Sequence, residues 1–170
     1  MAYSLYDASI KMANGALGSL DRILTIAEQH PKSETFISAR LVEDMNPLNF
    51  QVYYATLLAE SVAALLSGQE YEQQSSDIGT YEEMHSRIAR ALEQLKKVDK
   101  EKANEIGETL IMTDTPQGRQ EAPVKHVITI RHMPNLYFHV GMAYAILRKE
   151  GVPLGKRDWI RPYLSEFRLE

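Results

Sequence analysis

The chain contains no cysteine. That removes disulfides, thiolate metal sites, iron–sulfur clusters and cysteine nucleophiles together, and it fits a reducing compartment. Glycine and proline are sparse, with nine and seven residues, which argues against a fibrous or disordered chain. No run approaches the ~20 apolar residues of a membrane span. No basic stretch followed by an apolar one opens the sequence, so no signal peptide is read. The closing Arg168-Leu169-Glu170 matches no lipidation or peroxisomal signal. The expected location is therefore the cytoplasm. Excess positive charge is also lacking: the net charge is -4 and the pI is near 5.8. An acidic chain is a poor polyanion binder, so no nucleic-acid partner and no membrane partner is expected. The basic pairs Lys96-Lys97 and Lys156-Arg157 read as solvated surface.

What is present is ordinary globular composition, 44% hydrophobic and 25% charged, over 170 residues. That length suits one domain with its own core. Apolar residues recur at helical spacing in four long segments. The first runs from a Ser4 cap to about Gln29, with Ala13, Leu17, Leu20, Leu24 and Ala27 on one face. Gly15 and Gly18 interrupt it, each costing about 1 kcal/mol relative to alanine, and mark close helix contact. His30-Pro31 ends this helix. Ser33 and Glu34 start a short turn.

Asn46-Pro47 is a start signal, an Asn cap followed by proline at the first helical position. The second long helix runs to Ser67, with Phe50, Tyr54, Leu57, Leu58, Ser61, Ala64 and Leu65 as its predicted buried stripe. Gly68 suits the position just past its end. Residues 68–79 read as a polar loop. Thr80-Tyr-Glu-Glu83 is a capping box for the third helix. Its face is Met84, Ile88, Ala91, Leu92, Leu95 and Val98, and it ends near Lys97. Asp99 caps one further turn.

Residues 109–113 and 122–126 flank Asp114–Arg119 and read as a β-hairpin with a longer loop, with Pro123 at an edge or strand start. The fourth long helix begins near Val127 and ends at Glu150-Gly151. Pro134 kinks it or marks its true start. Leu136, Val140, Ala143 and Leu147 face the core. A tail carrying Pro153, Gly155, Trp159 and Pro162 wraps over the bundle or across a partner subunit. The fold class is mainly all-α: a four-helix bundle, a small hairpin before the last helix and a C-terminal tail.

Two segments resemble a known family. One is Ala39-Arg-Leu-Val-Glu-Asp-Met-Asn-Pro-Leu48. The other is Met133-Pro-Asn-Leu-Tyr-Phe-His-Val140 with Ala143–Arg148 and Gly151–Asp158; the opening Ser4-Leu-Tyr-Asp7 agrees. Together they resemble a family of bacteria and fungi described as a domain of unknown function, within the DinB-like (DinB/YfiT) superfamily of four-helix bundles. The resemblance reaches Asp158, so residues 1–158 are read as the DinB-like domain and residues 159–170 as a tail extension. It implies a homodimer, since many DinB-like proteins are dimers. Many of them also hold a divalent metal through three histidines, two of them four residues apart on the last helix. That pair is missing here.

The five histidines are His30, His85, His126, His132 and His139. None lies four residues from another. His132 and His139 share a face but stand about 10.5 Å apart along a straight helix, whereas zinc needs each nitrogen within about 2.1 Å. No metal and no cofactor is therefore assigned. Acid–base chemistry is the better fit. Histidine as a residue type titrates in the useful range, and Asn135 one turn before His139 can orient it. The catalytic set is read as His139, Tyr54, Tyr137 and Asn135. Gln51, Tyr53, Tyr144 and His132 are read as substrate-binding. Such a set could move protons on a small apolar metabolite, as a cofactor-independent isomerase, cyclase or lyase. A non-catalytic binding or interaction protein and a metal-dependent DinB-like enzyme with an atypical ligand set are the alternatives. Arg40 and Asp44 are expected to pair or to cap the second helix. Lys156, Arg157 and Asp158 tie down the tail or close a pocket. No phosphate loop, nucleophile elbow, dinucleotide fingerprint or calcium loop is present.

Overall fold

The computed structural model describes residues 3–169. Chain order begins with a π-helical turn (Asp7–Lys11) that feeds α1 (Met12–Glu28), followed by α2 (Ser33–Phe36), α3 (Leu48–Ser67), α4 (Tyr81–Lys96) and α5 (Lys100–Gly107). An antiparallel hairpin follows, β1 (Leu110–Thr115) with β2 (Gly118–Pro123). Then come α6 (Val124–Val127), a second π-helical turn (Ile128–His132), α7 (Met133–Lys149) and α8 (Lys156–Glu166). The bundle is a closed ring in which α1 packs on α7, α7 on α3, α3 on α4 and α4 on α1. The mainly helical class and the hairpin before the last long helix are as the sequence implies.

Most start and stop signals act as read. Thr80 and Glu83 form both halves of the capping box, and the Asp99 side chain accepts from the Lys102 amide. Gly68 ends α3 with φ +65°, a backbone conformation that glycine adopts without strain. Ser4 and Asp7 cap one another, Oγ donating to Oδ2 at 2.7 Å.

Four local expectations are corrected. Asn46 does not cap α3; Pro47 takes the cap position without a side-chain bond, and the Asn46 carbonyl instead accepts from Gln51 Nε2. The predicted stripe of α3 is wrong in phase. Among its members only Leu58 is buried, while Val52, Ala55, Ala59, Val62, Ala63 and Leu66 go inside. This helix is apolar almost all round, so periodicity could not fix its inner face. The hairpin loop is only Pro116-Gln117, because the ladder extends through Thr115↔Gly118. The second strand ends at Pro123, and residues 124–126 already belong to α6. Lastly, Arg40 does not pair with Asp44; its guanidinium donates to the Met45 carbonyl.

α3 is also long and apolar enough to cross a membrane, by length and composition alone, which the reading of apolar runs missed. Its apolar surface is covered by α4 and α7 within the chain, so burial among helices accounts for its composition.

Pro134 lies at the start of α7, directly after the second π-helical turn. A wider i→i+5 turn absorbs the missing proline N–H without ending the helix. The tail is α8, packed along α1 of its own chain. The glycine pair explains the closeness: a Cβ on Gly15 would stand 2.5 Å from Tyr163 Cδ1, and one on Gly18 would meet Pro162 Cβ at 3.0 Å. Ser19 Oγ donates to the Trp159 carbonyl. Arg22 pairs with Asp158 at 2.9 Å, and the other Asp158 oxygen accepts from the Gly155 amide. Both contacts hold the Asp158 carboxyl below the usual carboxylate range, the backbone bond most. The boundary read between Asp158 and Trp159 thus falls inside α8.

Candidate functional site

His139 sits one-third of the way along α7, facing the first turns of α3. It is 8% exposed. Its Nδ1 lies 2.8 Å from Gln51 Oε1. The direction of that bond follows from the other end of the amide. Gln51 Nε2 donates to the Asn46 carbonyl at 2.9 Å, so the oxygen end faces the imidazole and must accept. Nδ1 therefore carries the proton, and Nε2 keeps its lone pair. Burial lowers the His139 pKa to about 4, so the ring is neutral at pH 7.

Around the ring stand aromatic side chains. Tyr54 lies 4.6 Å away between centroids, Phe138 meets it edge-on at 5.3 Å and Phe50 at 6.1 Å. Tyr54 and Phe50 are half-buried, and Phe138 is exposed. The site is thus a polar dyad set in an aromatic rim, at the edge of the core.

The structure brings His139, Gln51 and Tyr54 together, with Tyr53 behind Tyr54 at 6.3 Å. It does not bring in the rest. Tyr137 packs toward Tyr163, and Tyr144 stands edge-on to Trp159, so both serve the α8 contact. Burial pushes the Tyr137 hydroxyl up to about 12, which suits packing rather than proton transfer. His132 turns its Nδ1 back to the Val127 carbonyl on its own helix, and burial lowers its pKa. Asn135 is half-buried on α7, but the partner that orients His139 is Gln51. One turn of spacing allowed the Asn135 contact; packing of α3 against α7 decided otherwise.

The three-histidine set of DinB-like proteins does not fit this chain. Among the described residues, no three His, Asp or Glu side chains gather closely enough to hold a metal ion. Gln51 occupies the position facing His139, and an amide oxygen that accepts from an imidazole N–H is a hydrogen-bond partner.

The sequence reading also missed Glu60, which is 3% exposed. One carboxylate oxygen pairs with Arg90 Nε at 3.1 Å, and the other has no partner. Burial raises its pKa, with Arg87 and Arg90 opposing. The signal was available: an acidic residue inside Leu57-Leu58-Ala59-Glu60-Ser61-Val62 interrupts an apolar helix.

With this geometry in hand, comparison with known proteins places the chain. A family described as "Domain of unknown function (DUF1993)" matches residues 5–160. The chain belongs to that family. No curated protein matches it. Among solved structures, this DUF1993 chain is similar to a crystal structure of a DinB family member from Shewanella denitrificans. The two share 28% identity over 92% of this chain and 91% of that one, with a TM-score of 0.83. The DUF1993 fold is therefore DinB-like, as the two quoted segments implied. The match runs into α8, so the helix that braces α1 begins inside the family's own span.

Proposed function

We propose that this DUF1993 protein binds a small, largely apolar metabolite at the His139 rim. In this reading His139 acts as a proton acceptor in a cofactor-independent isomerase, cyclase or lyase reaction. The observation that carries it is the Asn46–Gln51–His139 relay. It fixes one tautomer and leaves a neutral Nε2 lone pair beside Tyr54. The ring is neutral at pH 7 and so in the form that takes a proton, at the loss of basicity that its lowered pKa brings. The aromatic rim supplies the surface an apolar ligand would cover. Homodimerisation belongs to the same proposal, supported by the exposed apolar side chains of Ile130 and Phe138; native mass would read two chains, and one chain would remove it. A cytoplasmic location is likewise proposed.

Nitrogen-15 NMR of the imidazoles tests the premise. A neutral ring protonated on Nδ1 at pH 7, titrating near pH 4, is expected. A ring that carries its proton on Nε2 at pH 7 would sink the reading. A screen of apolar metabolites by thermal shift then tests the ligand, with His139→Ala expected to stay folded and lose turnover. A non-catalytic binding protein would bind the same ligand without any product appearing.

A further inference from the structure

Beneath the strap of residues 68–79, four buried side-chain atoms lack a hydrogen-bond partner: Arg87 Nε, Arg87 Nη2, Glu60 Oε2 and the Tyr71 hydroxyl. Arg87 is otherwise firmly placed. Its Nη1 donates to the Ser75 carbonyl on the strap, and its guanidinium lies 5.6 Å over the Tyr53 ring. That leaves one whole edge of the guanidinium, Nε and Nη2, with two parallel N–H donors aimed at no acceptor. Two such donors match the two oxygens of a carboxylate. Glu60 does not close onto this edge. Its Oε1 is taken by Arg90, and its Oε2 is bare. The Tyr71 hydroxyl leans toward the Gln74 backbone without completing a bond.

We propose that Arg87, Tyr71 and Glu60 form a binding site for a small carboxylic acid, held side-on by the Nε–Nη2 edge of Arg87. The site lies between α3 and α4 and is separate from His139. The Tyr71 hydroxyl donates to the same ligand. Glu60 completes the set as a third donor when it holds a proton, which burial already favours. The charged groups that act on Glu60 are Arg87 and Arg90 from α4 and Glu72 from the strap. The strap gives access. It has no regular secondary structure, and it is held by single contacts such as Glu72–Arg90 and Asn49 Nδ2 to the Ile78 carbonyl. Two clefts flank the cluster: one of about 390 Å³ has Glu60, Arg90 and Glu72 in its walls, and one of about 570 Å³ has Arg87 with Gln74 and Ser75 of the strap, so the acid would reach the Arg87 edge from the second.

The test uses the full chain with acetate, benzoate and succinate, each carbon-13 labelled at the carboxyl. Saturable broadening of the carboxyl signal by the wild type is expected. Arg87→Lys keeps the charge and loses the fork, so binding should weaken at least about tenfold. Tyr71→Phe should weaken it less and leave the fold intact, which keeps the test valid if Arg87→Lys melts early. His139→Ala should bind as the wild type does, so failure of the His139 reading would not touch this one. The site is refuted if none of the three acids saturates, if Tyr71→Phe or a folded Arg87→Lys binds unchanged, or if chloride and phosphate displace them equally well.

Discussion

Gln51 and His139 show how one buried amide determines the chemistry of a ring. Gln51 is 2% exposed, and both ends of its amide are used. Gln51→Leu keeps the volume but strands the Asn46 carbonyl and the His139 Nδ1–H. Each stranded group costs about 1–3 kcal/mol where it stays dry. The expected outcome in urea unfolding is a lower midpoint with an unchanged slope. An unchanged midpoint would mean that water replaces the amide. His139 was legible in the sequence as a histidine on the last long helix. Its partner's role was not, because Gln51 lies 88 residues away. Asn135, one turn off on the same helix, looked equally able. Glu60 was legible only as an oddity, since nothing local says that Arg90 would meet it.

At the scale of elements, the pair α1 and α8 carries a clear prediction. Glycine in a helix interior ordinarily costs about 1 kcal/mol against alanine, so Gly15→Ala should stabilise an isolated helix. Here the added methyl would enter the Tyr163 ring and approach the Tyr163 backbone at 3.1 Å. Overpacking of this kind costs about 1–3 kcal/mol and decides the sign. A fall in melting temperature is expected, and a rise would show that α8 yields easily. Deleting residues 159–170 should likewise lower stability in the monomer, because Trp159, Pro162 and Tyr163 cover α1. A truncated chain that melts as the full chain does would overturn that. The sequence marked Gly15 and Gly18 as a contact, but it could not say with what. The hairpin was also foreseen, yet its register was not. Pro116-Gln117 is a less explicit turn signal than Asn-Gly, and residues 124–126 suit either state.

The whole molecule should answer to acid in a defined order. His139 has a folded pKa near 4 against 6.5 unfolded, so the unfolded chain takes the proton first. Stability that is complete above pH 6.5 is therefore lost as pH falls toward 4, on the order of 3 kcal/mol at most. His132 adds in the same direction. Asp7 acts lower. Its carboxyl is held far below the usual range, chiefly by its bond with Ser4 and also by Lys11 and Lys100. Its contribution is present above pH 3.8 and disappears below it. Denaturant midpoints between pH 7 and pH 3 should show the first loss in wild type and a smaller one in His139→Ala. Equal losses in the two chains would remove His139 as the cause.

Local chemistry was enough to determine the long helices, most of their caps, the class and, through two segments, the family. Those depend on neighbours within a few residues, and single sequences record such neighbours faithfully. Only the tertiary structure decided which face of α3 turns inward, that the tail braces α1, and that Gln51 rather than Asn135 holds His139. The reason is common to all three. Each is a contact between residues far apart in the chain, and apolar or amide side chains offer several partners until packing leaves one.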